Sequence, residues 1–129
     1  VSVPQVRGVA DYLQQLLLNL MQNAGQAVLR EPTVHPKVIL RTRIARNCLV
    51  NQVTYPMMLE ISVIDNGPGV PDEIYDTLFL PMVTQREGGT GLGLSVAMQI
   101  AQQHGGTIEV HSRAGRTQMR VLLPIVPNI

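Results

Sequence analysis

The chain has one cysteine, one phenylalanine and no tryptophan in 129 residues, and each scarcity excludes something. A single thiol, Cys48, rules out an internal disulfide and makes a reducing cytoplasm the natural setting. No neighbouring residue is an evident activator, so Cys48 reads as an inert, at least half-buried thiol. With only three Tyr beside Phe79, the core must be aliphatic, built from Leu, Val, Ile and six Met. An excess of one charge is also missing. The formal net charge is +1 with acids and bases interspersed, which argues against a nucleic-acid partner. The nearest thing to a basic patch is Arg41, Arg43 and Arg46, joined by Arg30 and Lys37. On a strand Arg41 and Arg43 share one face, either solvated or used to dock a partner. No apolar run is long enough for membrane insertion, because Gln14, Gln15, Asn19, Gln22 and Asn23 interrupt the best candidate. No charged-then-apolar signal segment opens the chain, and a start at Val1 reads as an excision from a longer protein.

What is present fits one domain over residues 1–129, with an apolar fraction of 45%. Val3 to Val9 suits a short edge strand that tolerates Pro4. From Asp11 to Arg30 the apolar residues Leu13, Leu16, Leu17, Leu20, Met21, Ala24, Ala27 and Val28 follow helical spacing, with amides on the opposite side. Lys37 to Arg46 alternates as a strand, Asn47 to Pro56 reads as a polar connection, and Met58 to Asp65 as a buried second strand. A short helix opens at Pro71 and runs to Leu78. Phe79 to Thr90 reads as a mobile loop, and Gly91 to Gln103 as a helix stopped by His104-Gly105-Gly106. Strands at Thr107 to Ser112 and Gln118 to Pro124 complete an α+β layer.

Three polar segments carry the chemistry. Gly88-Gly89-Thr90-Gly91-Leu92-Gly93-Leu94-Ser95 runs straight into a helix, so backbone N–H groups and the helix dipole favour phosphate. It lacks the GK[ST] ending of a P-loop, and the polar Gln85-Arg86-Glu87 before it argues against a dinucleotide fingerprint. Asn19 and Asn23, four apart on one helix side, are poor helix formers among leucines. They suit either a solvated stripe or a set of hard oxygen ligands for Mg²⁺. Asp65 stands where an apolar strand ends. Its carboxylate, an acceptor only, suits an adenine amine, with Gly67 and Gly69 leaving room for a flat base; a plain Asx turn is the structural alternative. Arg86 is a reasonable phosphate partner in a loop whose flanking glycines suit a lid.

Gln15 to Ala27 (QLLLNLMQNAGQA), Asp65 to Gly69 (DNGPG), Leu78 to Thr84 (LFLPMVT) and Gly88 to Leu94 (GGTGLGL) resemble, in order and spacing, the N, G1, F and G2 boxes. These boxes define the ATP-binding catalytic domain of bacterial sensor histidine kinases. The run Pro81 to Ala97 and the hairpin insert before Tyr55 are similar to the nitrogen-regulation members of that family. The resemblance implies a Bergerat-type two-layer α/β sandwich, a mixed sheet of about five strands covered by three helices, with ATP and Mg²⁺ between them. It makes Asn23 the metal ligand, with Asn19 beside it on phosphate or metal, and Asp65 the adenine partner with Gly67 and Gly69 near the base. Gly89, Gly91 and Gly93, with Thr90 among them, carry phosphate contacts, while Leu92 and Leu94 pack that segment.

Three positions depart from the pattern. Asn19 stands where ATP-hydrolysing relatives have a Glu base, and an amide cannot activate water, so slow hydrolysis is expected. Gln26 replaces a common Lys, leaving Arg86 to substitute, and Met82 replaces a Phe. His35, His104 and His111 all read as structural or surface residues, and the resemblance implies that the phosphoacceptor histidine lies on a separate dimerisation domain. The isolated domain is therefore expected to bind Mg·ATP without phosphorylating itself. The resemblance also implies a response regulator of the NtrC type as the next phosphate acceptor and a PII signalling protein as a candidate partner. A nucleotide-binding regulatory module, or an ATPase or protein serine kinase of the same fold, are the alternatives.

Overall fold

The computed structural model describes residues 8–30, 35–80 and 93–125. Most of the expected Val3–Val9 strand lies outside them, as do Met82, Arg86, Gly89, Thr90, Gly91 and Leu92. Helix α1 spans Ala10–Arg30, with Asp11 in its first turn, where a carboxylate meets the positive end of the helix dipole. Its buried stripe is Leu16, Leu20, Ala24 and Val28, four apart as helical packing requires. Asn19 and Asn23 lie half-buried beside that stripe.

Strands β1 (Val38–Val50) and β2 (Val53–Asp65) form one long antiparallel hairpin. The turn is only Asn51-Gln52, both with positive φ (51° and 65°), as a two-residue primed turn demands. The polar connection expected over Asn47–Pro56 is therefore mostly strand. Pro56 has no N–H, and by register it faces Asn47, whose φ is 54°. That single pair drops out of the ladder, and pairing resumes at Cys48↔Tyr55. Residues that usually end a strand here cost it one rung only.

A short 3-10 helix covers Asp72–Thr77, then come α2 (Gly93–Gln103), β3 (Thr107–Arg113) and β4 (Arg116–Pro124). The sheet order is β1-β2-β4-β3 and all three pairings are antiparallel. Among the described residues the sheet therefore has four strands, not about five, and it is antiparallel, not mixed. The third helix is a single 3-10 segment. The two-layer α+β class holds: α1 and α2 pack on one face of the sheet, burying Leu16, Leu20, Ala97, Ile100, Val63, Met119 and Val121 together. The core is aliphatic, as the missing aromatics require. A smaller cluster at the far end of the hairpin buries Ala45, Cys48, Val50, Met58 and Leu122. Cys48 is a buried free thiol within it.

The turn after α2 fixes the second layer. Gly106 N–H donates to Ala101 O (2.9 Å) and Gly105 N–H to Gln102 O (3.0 Å), with Gly105 at φ 79°. This is a Schellman stop. Gly106 has a second reason to be glycine, because a Cβ there would collide with the backbone oxygen of Leu122.

Candidate functional site

β2 ends at Asp65 because the chain there turns through Asn66-Gly67-Pro68-Gly69. Asp65 is 3% exposed, and its Oδ1 accepts the Gly67 N–H at 2.9 Å, so the Asx-turn reading is correct as local geometry. The loop is held from three sides. Asn66 Nδ2 donates to His35 O (2.9 Å) and its Oδ1 accepts the Lys37 N–H (2.7 Å), tying the loop to the start of β1. Gly67 O accepts the Gly115 N–H (3.1 Å), tying it to the β3–β4 turn. Val70 N–H donates to Ser112 Oγ (2.8 Å), which hydrogen-bonds Thr117 Oγ1 at 2.7 Å.

Glycine is required at two places in this loop. A Cβ on Gly67 would lie 3.0 Å from Ala27 O, so the loop packs against the backbone of α1 one turn beyond Asn23. Gly69 has φ 94° and its Cβ would lie 2.7 Å from Arg113 O. The loop is thus wedged between α1 and the β3–β4 turn, and the Asp65 carboxylate is fixed at their junction.

The middle of α1 meets the start of α2. Asn19 Nδ2 donates to Gly93 O (3.1 Å), and Gln15 Nε2 donates to Asn19 Oδ1 (2.6 Å). Because Gly93 O can only accept, it fixes the orientation of the Asn19 amide, and Gln15 follows from it. The side of α1 from Asn19 to Ala27 therefore runs from the first residue of α2 to the Asp65 loop, about 12 Å at helical rise. Asn23 lies midway. Leu94 is buried in the core at the start of α2. Gly93 is different: it opens α2, and among the described residues nothing lies within 4 Å of a Cβ placed there. Gln26 is exposed.

Sequence reasoning missed several supports. Thr117 is buried and paired with Asp65 across β2 and β4, and Ser112 completes that corner. Tyr75 Oη donates to Val110 O (2.7 Å), pinning the 3-10 helix to β3. Only strand register exposes these, and register needs the fold. A cleft of about 500 Å³ lies between Phe79 and Leu80 on one side and Ser95, Met98 and Gln102 on the other; none of the expected binding residues among those described lines it.

Among the described residues no group of three or more His, Cys, Asp or Glu is placed to hold a metal. A cation carried here needs neutral oxygens and the oxygens of its own ligand, and the amides of Asn23 and Asn19 fit that requirement for Mg²⁺. The histidines behave as expected. His104 lies at the helix stop, with Nδ1 2.8 Å from Ile100 O while Nε2 accepts the Val9 N–H, which fixes the Nδ1–H tautomer. His111 is exposed on β3 and His35 is exposed before β1.

Comparison with known proteins agrees with this geometry. The profile of the histidine kinase-, DNA gyrase B- and HSP90-like ATPase family matches residues 8–127. The sensory histidine kinase/phosphatase NtrB of Klebsiella oxytoca is 46% identical over 96% of this chain and 35% of its own length. The Vibrio alginolyticus NtrB is 40% identical over 97% of this chain and 35% of its own. The nucleotide-free catalytic domain of histidine kinase ThkA superposes with a TM-score of 0.72 at 28% identity, covering 95% of this chain and 73% of that one. The chain spans about a third of the length of the curated relatives it matches. With a match over nearly the whole chain and the fold shared, the chain belongs to the histidine kinase-, DNA gyrase B- and HSP90-like ATPase family.

Proposed function

We propose that this domain binds Mg·ATP and presents its γ-phosphoryl group to a histidine on a separate dimerisation domain, as the catalytic part of a nitrogen-regulation sensor kinase. The observation that carries the reading is the placement of the Asp65 loop and of Asn19 and Asn23 along one side of α1. An acceptor-only carboxylate stands at one end and amide oxygens stand toward the other. Asp65 receives the adenine amine, Gly67 and Gly69 lie along the base, and Asn23 with Asn19 holds the metal and phosphates. Gly89, Thr90, Gly91, Leu92, Gly93 and Arg86 complete the phosphate end. Bound Mg·ATP supplies the phosphoryl group and the charge that screens it.

The chain's own contribution is positional. Asp65 discriminates against guanine, whose carbonyl would meet an acceptor. Asn19, at the position of a general base in hydrolysing relatives, cannot take a proton from water, which leaves transfer favoured over hydrolysis. The acceptor histidine belongs to the dimerisation domain, the phosphate then moves to a response regulator of the NtrC type, and a PII protein is a regulator of the balance. The NtrB relatives, named kinase/phosphatase, support this assignment. The test is to supply the dimerisation domain in trans with γ-labelled ATP. Acid-labile label on its histidine is expected, and it should vanish in Asn23→Ala. Bound ATP without transfer would leave a regulatory nucleotide-binding module, while steady turnover by the domain alone would make it an ATPase.

A further inference from the structure

The sheet face opposite α1 and α2 carries a charge arrangement that the nucleotide site does not use. Strand register lays it out in rows: Arg43, Glu60, Leu122, Thr107; then Arg41, Ser62, Arg120, Glu109; then Ile39, Ile64, Gln118, His111; and Arg116 opposite Arg113. Five of the ten Lys and Arg of the chain stand on this face with only two of its nine acids, although the chain's net charge is +1.

Both acids are already satisfied. Glu60, fully buried, accepts from Arg43 (2.6 Å), from Arg120 and from Ser62 Oγ (3.2 Å). Glu109 takes Arg120 Nη1 at 2.7 Å. The remaining cations are not matched. Arg41 reaches Glu60 only at 3.7 Å, and its buried Nε has no hydrogen-bond partner. Arg113 and Arg116 face each other directly, a repulsive cross-strand placement, and among the described residues neither pairs with an acid. Ile39, 48% exposed, lies between these spare arginines. Neither α1 nor α2 packs on the face; its centre at Ser62, Ile64 and Gln118 is buried, and Tyr75 of the 3-10 helix borders it beside Arg113 and Arg116.

We infer that this face docks an acidic protein surface, with carboxylates set against Arg41, Arg113 and Arg116 and an apolar contact on Ile39. Arginine with an apolar centre is the composition that protein interfaces favour. A continuous phosphate backbone suits the face less well, because Glu109, 40% exposed, breaks the run of cations, whereas separate carboxylates of a folded partner can stand on either side of it. Arg41 and Ile39 lie across the sheet from α1, while Arg113 and Arg116 flank the β3–β4 turn that abuts the Asp65 loop; the inference does not rest on the function proposed above.

The experiment titrates poly-L-glutamate into the isotopically labelled chain, followed by amide chemical shifts, with duplex DNA as the comparison probe. Shifts are expected along residues 39–43, 109–113 and 116–120, with affinity falling steeply as salt is raised. The variant R41Q/R113Q/R116Q should bind at least about tenfold more weakly. If the triple variant fails to fold, R113Q/R116Q at the exposed turn serves with the same expected direction. Shifts centred on another surface, unchanged affinity in the variants, or tighter binding of DNA than of poly-L-glutamate would each overturn the inference.

Discussion

Asp65→Asn separates the two tasks assigned to one side chain. In the wild type, Oδ1 holds the Gly67 N–H at 2.9 Å, and the proposed function has the remaining acceptor capacity of the carboxylate receive the adenine amine. An asparagine keeps an oxygen for Gly67 but replaces the other acceptor with an NH₂ donor. A hydrogen bond to a charged group contributes about 1.5–3 kcal/mol, so ATP affinity should fall about 10- to 100-fold. Preference for ATP over GTP should shrink with it, since the new amide no longer rejects the guanine carbonyl. Stability should fall less than in Asp65→Ala, because the Gly67 N–H keeps its acceptor. Asp65→Ala is the contrast: it removes the acceptor and leaves the buried Gly67 N–H unpaired, at about 1–3 kcal/mol. Calorimetric titration with each nucleotide, paired with thermal melts, reads both quantities. An Asp65→Asn domain that binds ATP within about threefold of wild type refutes the adenine role. One that melts as low as Asp65→Ala refutes the division of labour between the oxygens.

Three further outcomes follow from the packing. Burial alone would push the Glu60 carboxyl up, but hydrogen bonds from Arg120 and Arg43, reinforced by their charge, outweigh it and hold the group below its ordinary value. A depressed folded pKa means that this stabilisation is present above the unfolded value, about 4.3, and is lost as pH falls below it. Denaturant melts should therefore show Glu60→Gln destabilised by about 2 kcal/mol at neutral pH, with the gap to wild type closing in acid. A gap that stays constant with pH contradicts the ion-pair account. Gly106→Ala should lose at least about 2 kcal/mol because its Cβ meets the Leu122 carbonyl, whereas Gly93→Ala should be neutral or gain about 0.5 kcal/mol while weakening ATP binding. A double-mutant cycle of Gln15→Ala and Asn19→Ala on ATP affinity should be non-additive, with Gln15→Ala silent once Asn19 is gone; full additivity would break the Gln15–Asn19–Gly93 chain.

The elements legible in the sequence were those whose periodicity is enforced by a single buried face. The α1 stripe of Leu16, Leu20 and Ala24 and the strand ending at Asp65 are of this kind. The antiparallel pairing of these two strands is legible, but the connection reads as too long because Asn47 and Pro56 look like breakers one at a time, while in register they face each other and share a single lost rung. The alternation of Val38, Leu40 and Ile44 suggests a buried face on β1, yet all three are exposed on a strand that is at the sheet edge among the described residues. For the candidate site, local chemistry pointed to Asn19, Asn23, Asp65 and the glycines. Thr117, Ser112 and Tyr75 carried no local signal, since their partners lie across strands. Glu60 was equally silent: a lone acid in an apolar run acquires meaning only when Arg43 and Arg120 arrive from neighbouring strands.

The central claim is that Asp65 and the asparagines of α1 belong to one nucleotide site, base at one end and metal at the other. Nuclear magnetic resonance with Mg·ATP and then Mn·ATP tests it directly. Mg·ATP should shift the amides of Gly67 and Gly69, and paramagnetic Mn²⁺ should broaden the side-chain amide signals of Asn23 and Asn19 while leaving that loop sharper. Broadening centred anywhere other than the asparagine side of α1, or ATP binding without shifts at Gly67 and Gly69, would contradict the account.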